Sequence, residues 1–360
     1  MNRSGVIDLI KVLSAQVIVL HHFVIYSPMA QVLATQCPTW VGWLDDHGRL
    51  AVQPFLVIGG YLAALSIRRH PPDRFWSGVV QRYGRLMPPL AISLALVVLI
   101  TWAVGHHLEG AEWVSPLPSP GLFLAHLFLL QDVLGLPAIS AGVWYVAIDI
   151  QLFALFLLFH KITRFYSQRL SIQVMSFLLS VLTLASLHEF SRQPWLDMWA
   201  IYFFSAYGLG ALVAWCQAHP AARGWLVLTI ALLLLDIIWD PRPRPICALL
   251  TAGVLWLWGQ RRAPTDQAWV PALQRAGDGT YAIFVSHFAV IIFSSAMWEW
   301  LRPQTVEAAS VFLLGAWLLT LAVGHCVDRG AKGLNIGFLR QPRAHYPILN
   351  EPKDPPSRRS

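Results

Sequence analysis

Ten stretches of this chain are each apolar for close to the length that crosses a lipid bilayer, and no other feature constrains the fold as strongly. They fall near 6–26, 50–67, 86–105, 142–160, 171–189, 198–216, 225–239, 246–259, 280–300 and 308–327. A helix needs about 20 predominantly apolar residues to span the hydrocarbon core. No water is available there, so each backbone N–H and C=O must bond within its own segment, and such runs become helices. The expected fold class is therefore all-α, a polytopic transmembrane helical bundle of about ten spans. Composition agrees: 56% of the 360 residues are hydrophobic and only 12% charged, against about 25% charged in soluble domains. Seventeen Trp suit a chain lying at membrane–water interfaces.

The first span resembles a signal peptide in its opening, MNRSG followed by an apolar run. Asp8 and Lys11 interrupt that run and no small-residue cleavage site follows, so it reads as a retained helix. The stretch 121–136 (GLFLAHLFLLQDVLGL) is short, carries His126 and Asp132, and lies between Pro-rich flanks. It is expected to re-enter or lie at the interface instead of spanning. Arginine and lysine set the orientation. Loop 68–85 holds five Arg, 161–169 adds Lys161, Arg164 and Arg169, and 261–275 adds Arg261, Arg262 and Arg275. With ten spans these loops share the side of both termini, which the positive-inside rule makes cytoplasmic. Only DPRPRP, 240–245, breaks the pattern. Residues 1–330 read as one membrane domain, and 331–360 as a polar, Pro-rich, disordered cytoplasmic tail. The net charge of +7 is thus a topology signal and does not point to nucleic acid. The four scattered Cys suggest neither a disulfide framework nor a metal site.

Several spans carry ionisable groups, which cost about 2.5–3.5 kcal/mol at mid-helix and therefore face a protein interior or a watery cavity. Lys11 and His22 lie eleven positions apart, close to three whole turns and roughly 16 Å along one helix face. They either line a polar site, or Lys11 snorkels to headgroups while His22 bonds a neighbouring helix. His21 points elsewhere and reads as packing. Arg82 and Arg85 share a face at the mouth of a span. Their forks suit phosphate, or they anchor the span at the cytoplasmic surface. Asp149 and Gln151 stand inside an apolar span, and GDGTYAIFVSHFAVII (277–292) opens a helix with a Gly/Asp/Thr turn and places His287 within it. Each is a cavity wall or an inter-helix hydrogen bond. Asp236, Glu299 and His325 lie near span ends and read as interfacial.

Together these fragments resemble the acyltransferase-3 family of integral membrane acyltransferases, over roughly residues 5 to 330. That family carries Arg or Lys, ten residues, then His in its first span, matched by Lys11 and His22. Its second-span FFVLSGFL is similar to FLVIGGYL (55–62), with Gly59 in the usual Ser place. Its RRxxRixPxy resembles QRYGRLMPPL (81–90), its WSLxxExxFY resembles WYVAIDIQLF (144–153) with Asp149 for Glu, and its SYxiYLxHxp resembles TYAIFVSHFA (280–289).

The resemblance implies transfer of an acyl group, usually acetyl, from cytoplasmic acyl-CoA to a hydroxyl, most often on a sugar. Location in the bacterial inner membrane follows from it as well. The expected partners are acyl-CoA, membrane lipids and a saccharide acceptor, lipid-linked or nascent. No metal is needed. His22 is then the general base or a covalent acyl carrier, Asp149 its orienting partner, and Lys11 the group that neutralises CoA phosphate or polarises the thioester. Arg82, Arg85, Arg68 and Arg69 are expected to hold the CoA phosphates; His287, Tyr281, Trp144 and Gln151 are expected to line the substrate cavity. No SGNH-type esterase domain follows the membrane part, which favours direct O-acetylation, and the xanthan acetyltransferases are similar in size and composition. A transporter of an anion or saccharide uses the same intramembrane groups, although it is expected to show internal symmetry. A purely structural partner in a polysaccharide synthase would make no demand on Lys11 or His22.

Overall fold

A computed structural model describes residues 5–67, 74–108, 110–111, 114, 117–258, 269–303 and 305–334. Among these, the chain is mostly helical and has no strand. The helices are α1 (Gly5–Tyr26), α2 (Pro28–Ala34), α3 (Pro38–His47), α4 (Val52–Ser66), α5 (Phe75–Val104), α6 (Pro120–Leu127) and α7 (Val143–Thr163). They continue as α8 (Gln168–His188), α9 (Ala200–Ala218), α10 (Arg223–Trp239), α11 (Pro243–Trp258), α12 (Trp269–Leu301) and α13 (Val306–Leu334). Nine helical segments are long and apolar enough to cross a membrane, and α11 is a shorter apolar helix of 16 residues. All ten expected spans are present as helices. α13 continues to Leu334, past the expected start of the tail at 331; residues 335–360 lie outside the described residues.

Two packing seams organise the bundle. The first is the crossing of α4 on α9, where backbone meets backbone. A Cβ at Gly60 would lie 1.8 Å from the Tyr207 carbonyl oxygen, and one at Gly210 would lie 1.9 Å from the Val57 carbonyl oxygen. Lipid tails supply no hydrophobic drive between helices, so small residues that let backbones approach do that work. The second seam runs along α12, which packs against α1, α5 and α13. α9 and α12 are the most enclosed spans, whereas α10 and α13 bury the least.

The segment after α5 re-enters the bundle, as its composition suggested. Ser119 caps α6 by accepting from the Leu122 N–H at 3.2 Å, with Pro120 at the first helical position. His126 then staples the return: its Nδ1 is 2.8 Å from the Leu122 carbonyl, and its Nε2 accepts from the Ile139 N–H at 3.0 Å. The Tyr83 hydroxyl donates to the Leu127 carbonyl at 2.7 Å. Tyr83 lies 21 residues before Val104, the end of α5, or about 32 Å back along that helix. Irregular backbone is tolerated at such depth where protein covers it, and here His126 and Tyr83 bond the Leu122 and Leu127 carbonyls and the Ile139 N–H.

At the far face, the exceptional DPRPRP is held in an ion-pair network. Arg242 and Arg192 both bond Asp236, at 2.7 and 3.3 Å, and both reach Asp240, at 3.2 and 2.7 Å. Arg244 donates to the Tyr202 hydroxyl at 2.9 Å. Two of these three guanidinium groups face two carboxylates, which ties the loop into a local ion-pair network. Asp236, expected at the interface near a span end, is the hub of this network.

Candidate functional site

α1 and α12 run parallel, and their contacts advance together along both helices. Near the start of α1 the Lys11 ammonium donates to the Gly277 carbonyl at 2.5 Å and lies 3.7 Å from Asp8. Asp8 is fully buried against Gly277, where an added Cβ would stand 2.6 Å from its Oδ1. This explains a departure from the sequence expectation. GDGTY does not open a helix; α12 begins at Trp269 and runs straight through it. Glycine costs about 1 kcal/mol inside a helix, but here the missing side chain lets Asp8 and Lys11 dock. Asp8 was read only as an interruption of an apolar run. Its position one turn before Lys11 was the available clue.

Three turns further, His22 meets His287. The His22 Nδ1 and His287 Nε2 are 2.6 Å apart, with ring planes 13° apart and centroids separated by 4.8 Å. That is an in-plane, edge-to-edge arrangement suited to an N–H···N bond. The His287 Nδ1 lies 2.5 Å from the Phe284 carbonyl. A carbonyl can only accept, so this nitrogen carries the proton, and in a neutral ring Nε2 is then the acceptor. His22 must therefore donate from Nδ1, which leaves a lone pair on its own Nε2. The hydrogen-bond chain fixes the tautomer that a general base requires. Both rings are buried, and Tyr26 and Phe288 close the aromatic surround, with His22–Tyr26 and Tyr26–Phe288 centroids at 5.7 and 5.5 Å. His21 behaves as packing: its Nδ1 is 2.7 Å from the Leu44 carbonyl, holding α3 onto α1.

The expected alliance of Asp149 with His22 is not what the structure shows. Asp149, on α7, is gripped by Arg82 of α5 through Nε at 2.8 Å and Nη2 at 2.5 Å. A guanidinium fork matches a carboxylate in this bidentate geometry, and the ring of Phe153 lies 5.1 Å beneath the same cation. Arg82 is accordingly committed inside the bundle and does not present its fork to a phosphate. Arg85 shares that stretch of α5 but is exposed. Arg68 and Arg69 lie outside the described residues.

The expected cavity residues separate. Tyr281 donates its hydroxyl to the Leu86 carbonyl at 2.8 Å, tying α12 to α5 close to the Arg82–Asp149 level. Trp144 packs against Phe203 with centroids 5.4 Å apart. Gln151 is fully engaged at the start of α9, donating to the Met198 carbonyl at 3.1 Å and accepting from the Ala200 N–H at 2.9 Å. It satisfies a helix terminus whose backbone groups lack partners within the helix, so it reads as structural. Of the four, only His287 meets His22.

A family model described as an acyltransferase domain matches residues 5–326, which takes in every fragment discussed above. No curated protein and no solved structure matches the chain.

Proposed function

The chain belongs to the acyltransferase-3 family, and from that membership we propose that it moves an acetyl group from cytoplasmic acetyl-CoA to a sugar hydroxyl. The acceptor is a surface or exported polysaccharide, or its lipid-linked precursor, handled at the inner membrane of a bacterium. One observation carries the reading: the ordered chain His22–His287–Phe284 carbonyl, which leaves the Nε2 of His22 as a buried proton acceptor. In the proposed step, His22 takes the proton of the acceptor hydroxyl while that oxygen adds to the thioester carbonyl. His22 then returns the proton to the sulfur as the C–S bond breaks, so free CoA and the ester leave together. His287 plays the part that a carboxylate plays in a hydrolase triad, holding the imidazole and its tautomer. Lys11 acts as a positioning residue: its bond to Gly277 sets the register of α1 on α12 that brings His22 to His287. Arg85, with Arg68 and Arg69, is assigned to the CoA phosphates at the cytoplasmic mouth, where arginine suits phosphate.

The test is ester-linked acetate on the native host's surface polysaccharide, measured by NMR for wild type and His22→Ala at matched membrane levels. Loss of the acetate signal in the variant is expected. Persistence of the signal would overturn the reading and move transport ahead of transfer.

A further inference from the structure

Above the histidine pair, on the face of the bundle away from the start of α1 and the end of α13, a cleft of about 500 Å³ opens between α2 and the end of α12. We infer that it is the acceptor subsite, a place where sugar hydroxyls are recognised before or while the reacting one reaches His22. The inference rests on the transferase reading above and adds to it a location and a ligand chemistry.

Position is the first argument. Trp298, in the cleft wall, lies eleven residues past His287 on α12, three turns up the same helix face and about 16 Å higher. Pro28, in the opposite wall, follows Tyr26, the ring that covers His22. The cleft thus lies along the same helix, α12, as His287 and directly beyond the end of α1, which carries His22.

Its chemistry is the second. Gln31, Thr35, Trp298, Glu299 and Arg302 all line it. Trp298 is only 5% exposed, wedged edge-on against Phe312 at 5.3 Å, and its indole N–H bonds no other described residue. The Gln31 amide, the Glu299 carboxylate and the Arg302 guanidinium are likewise bonded to no described residue. The residues that carry these four polar groups line one depression, three of them exposed to solvent. A carboxylate accepts from neighbouring hydroxyls, guanidinium and indole donate to ring and hydroxyl oxygens, and an amide does both. Such a mixed set fits a polyhydroxylated ligand better than an acyl chain or a bare anion. The volume falls in the ~300–1,000 Å³ range of small-ligand sites.

Backbone conformation is the third. Arg302 closes α12 with its N–H donating to the Trp298 carbonyl at 2.8 Å, at φ 48°. Helices commonly end with glycine in that left-handed conformation. An arginine held there against its preference, with its side chain in the cleft, marks the position as one where the side chain matters. Contacts to remote sugar units can be spent on orienting the reacting hydroxyl.

The experiment uses the full chain in lipid nanodiscs without any acyl donor, so that no chemistry occurs. The probe is the set of oligosaccharides cut from the host's own surface polysaccharide and freed of ester acetate by mild base; binding is read by saturation-transfer NMR and titration calorimetry. Glu299→Gln/Arg302→Gly is expected to weaken binding by about tenfold or more, as loss of charge-assisted hydrogen bonds predicts. Trp298→Phe keeps an aromatic ring against Phe312 and removes the indole N–H along with the smaller ring that carries it, and a several-fold loss is expected from it. Acetyl-CoA binding serves as the control and is expected to stay at the wild-type value, since the donor enters at the other face. Arg302→Gly suits the left-handed backbone, so the double variant should fold. Oligosaccharide binding within twofold of wild type in both variants would overturn the inference, as would no binding to wild type. Because binding is read without transfer, failure of His22→Ala to abolish acetylation would strike the transferase reading and leave this result legible.

Discussion

Two polar clusters lie inside the same apolar bundle, and they are built on opposite principles. Arg82 and Asp149 close on each other: two donors meet two acceptor oxygens, with an aromatic ring behind the cation. His22 and His287 form an open chain instead, anchored at one end on the Phe284 carbonyl and ending at the other in the Nε2 lone pair of His22. A closed pair holds helices together and has nothing left to offer a substrate. An open chain is held as firmly but delivers a proton acceptor to a defined point. The contrast separates structure from chemistry among residues that look equally anomalous in the sequence.

The sharpest way to break that contrast is at His22. Replacing it with Ala should lower acyl transfer by about 10²–10⁴-fold, the usual worth of a general base, while thermal unfolding followed by tryptophan fluorescence shifts only by the modest amount that one lost buried ring and hydrogen bond predict. A large shift in that midpoint would make the histidine pair structural after all. Arg82→Met should do the reverse. It strands a buried carboxylate and costs about 3–5 kcal/mol, whereas the Arg82→Met/Asp149→Leu double variant should recover most of the loss. Double-mutant stability measurements check this, and a double variant as unstable as the single one would show that the pair does more than close on itself. At His287, Phe keeps the ring volume but removes the acceptor, and transfer should fall by about 10–100-fold, as when a ligand-orienting partner is lost. His287→Gln retains an acceptor oxygen and should restore part of the rate; equal rates for the Phe and Gln variants would deny His287 a role in holding the His22 tautomer. The smallest effect belongs to Gln151→Ala, which should cost about 1 kcal/mol of stability through its two backbone bonds at the start of α9 and leave the KM for acceptor unchanged. A raised KM would return Gln151 to the cavity.

Legibility followed the length scale of each signal. Spans were plain because twenty apolar residues in a row have few alternatives in lipid. The re-entrant segment was plain because it is too short to cross and its flanks are rich in proline. The Lys11–His22 face was visible because a helix places residues eleven apart on one side, and the structure does bring that whole face onto α12. Pairing between helices was not visible. Asp149 was matched with the nearest chemical story, a histidine in need of a carboxylate, when an arginine on α5 was within reach. The arginines of DPRPRP ran against the loop charges, and the sequence did not announce that Asp236 of α10 and Arg192 beyond α8 would join Asp240 of the same motif around Arg242. GDG resembled a helix start because glycine is locally a poor helix former, and nothing local announces that Asp8 will need the vacant space.

By itself the sequence determined the class of fold, the place and order of the ten long apolar helices, the segment that turns back, and the two histidines worth watching. Those features depend on one chain segment in one solvent, and lipid makes the choice nearly unconditional. Only the tertiary structure decided which partner each polar group takes, and hence which of them is closed and which is open. A buried charge or imidazole accepts any partner that satisfies it, and the identity of that partner depends on which helices adjoin. Here the crossing of Gly60 and Gly210 and the docking of Asp8 on Gly277 settle which helices those are.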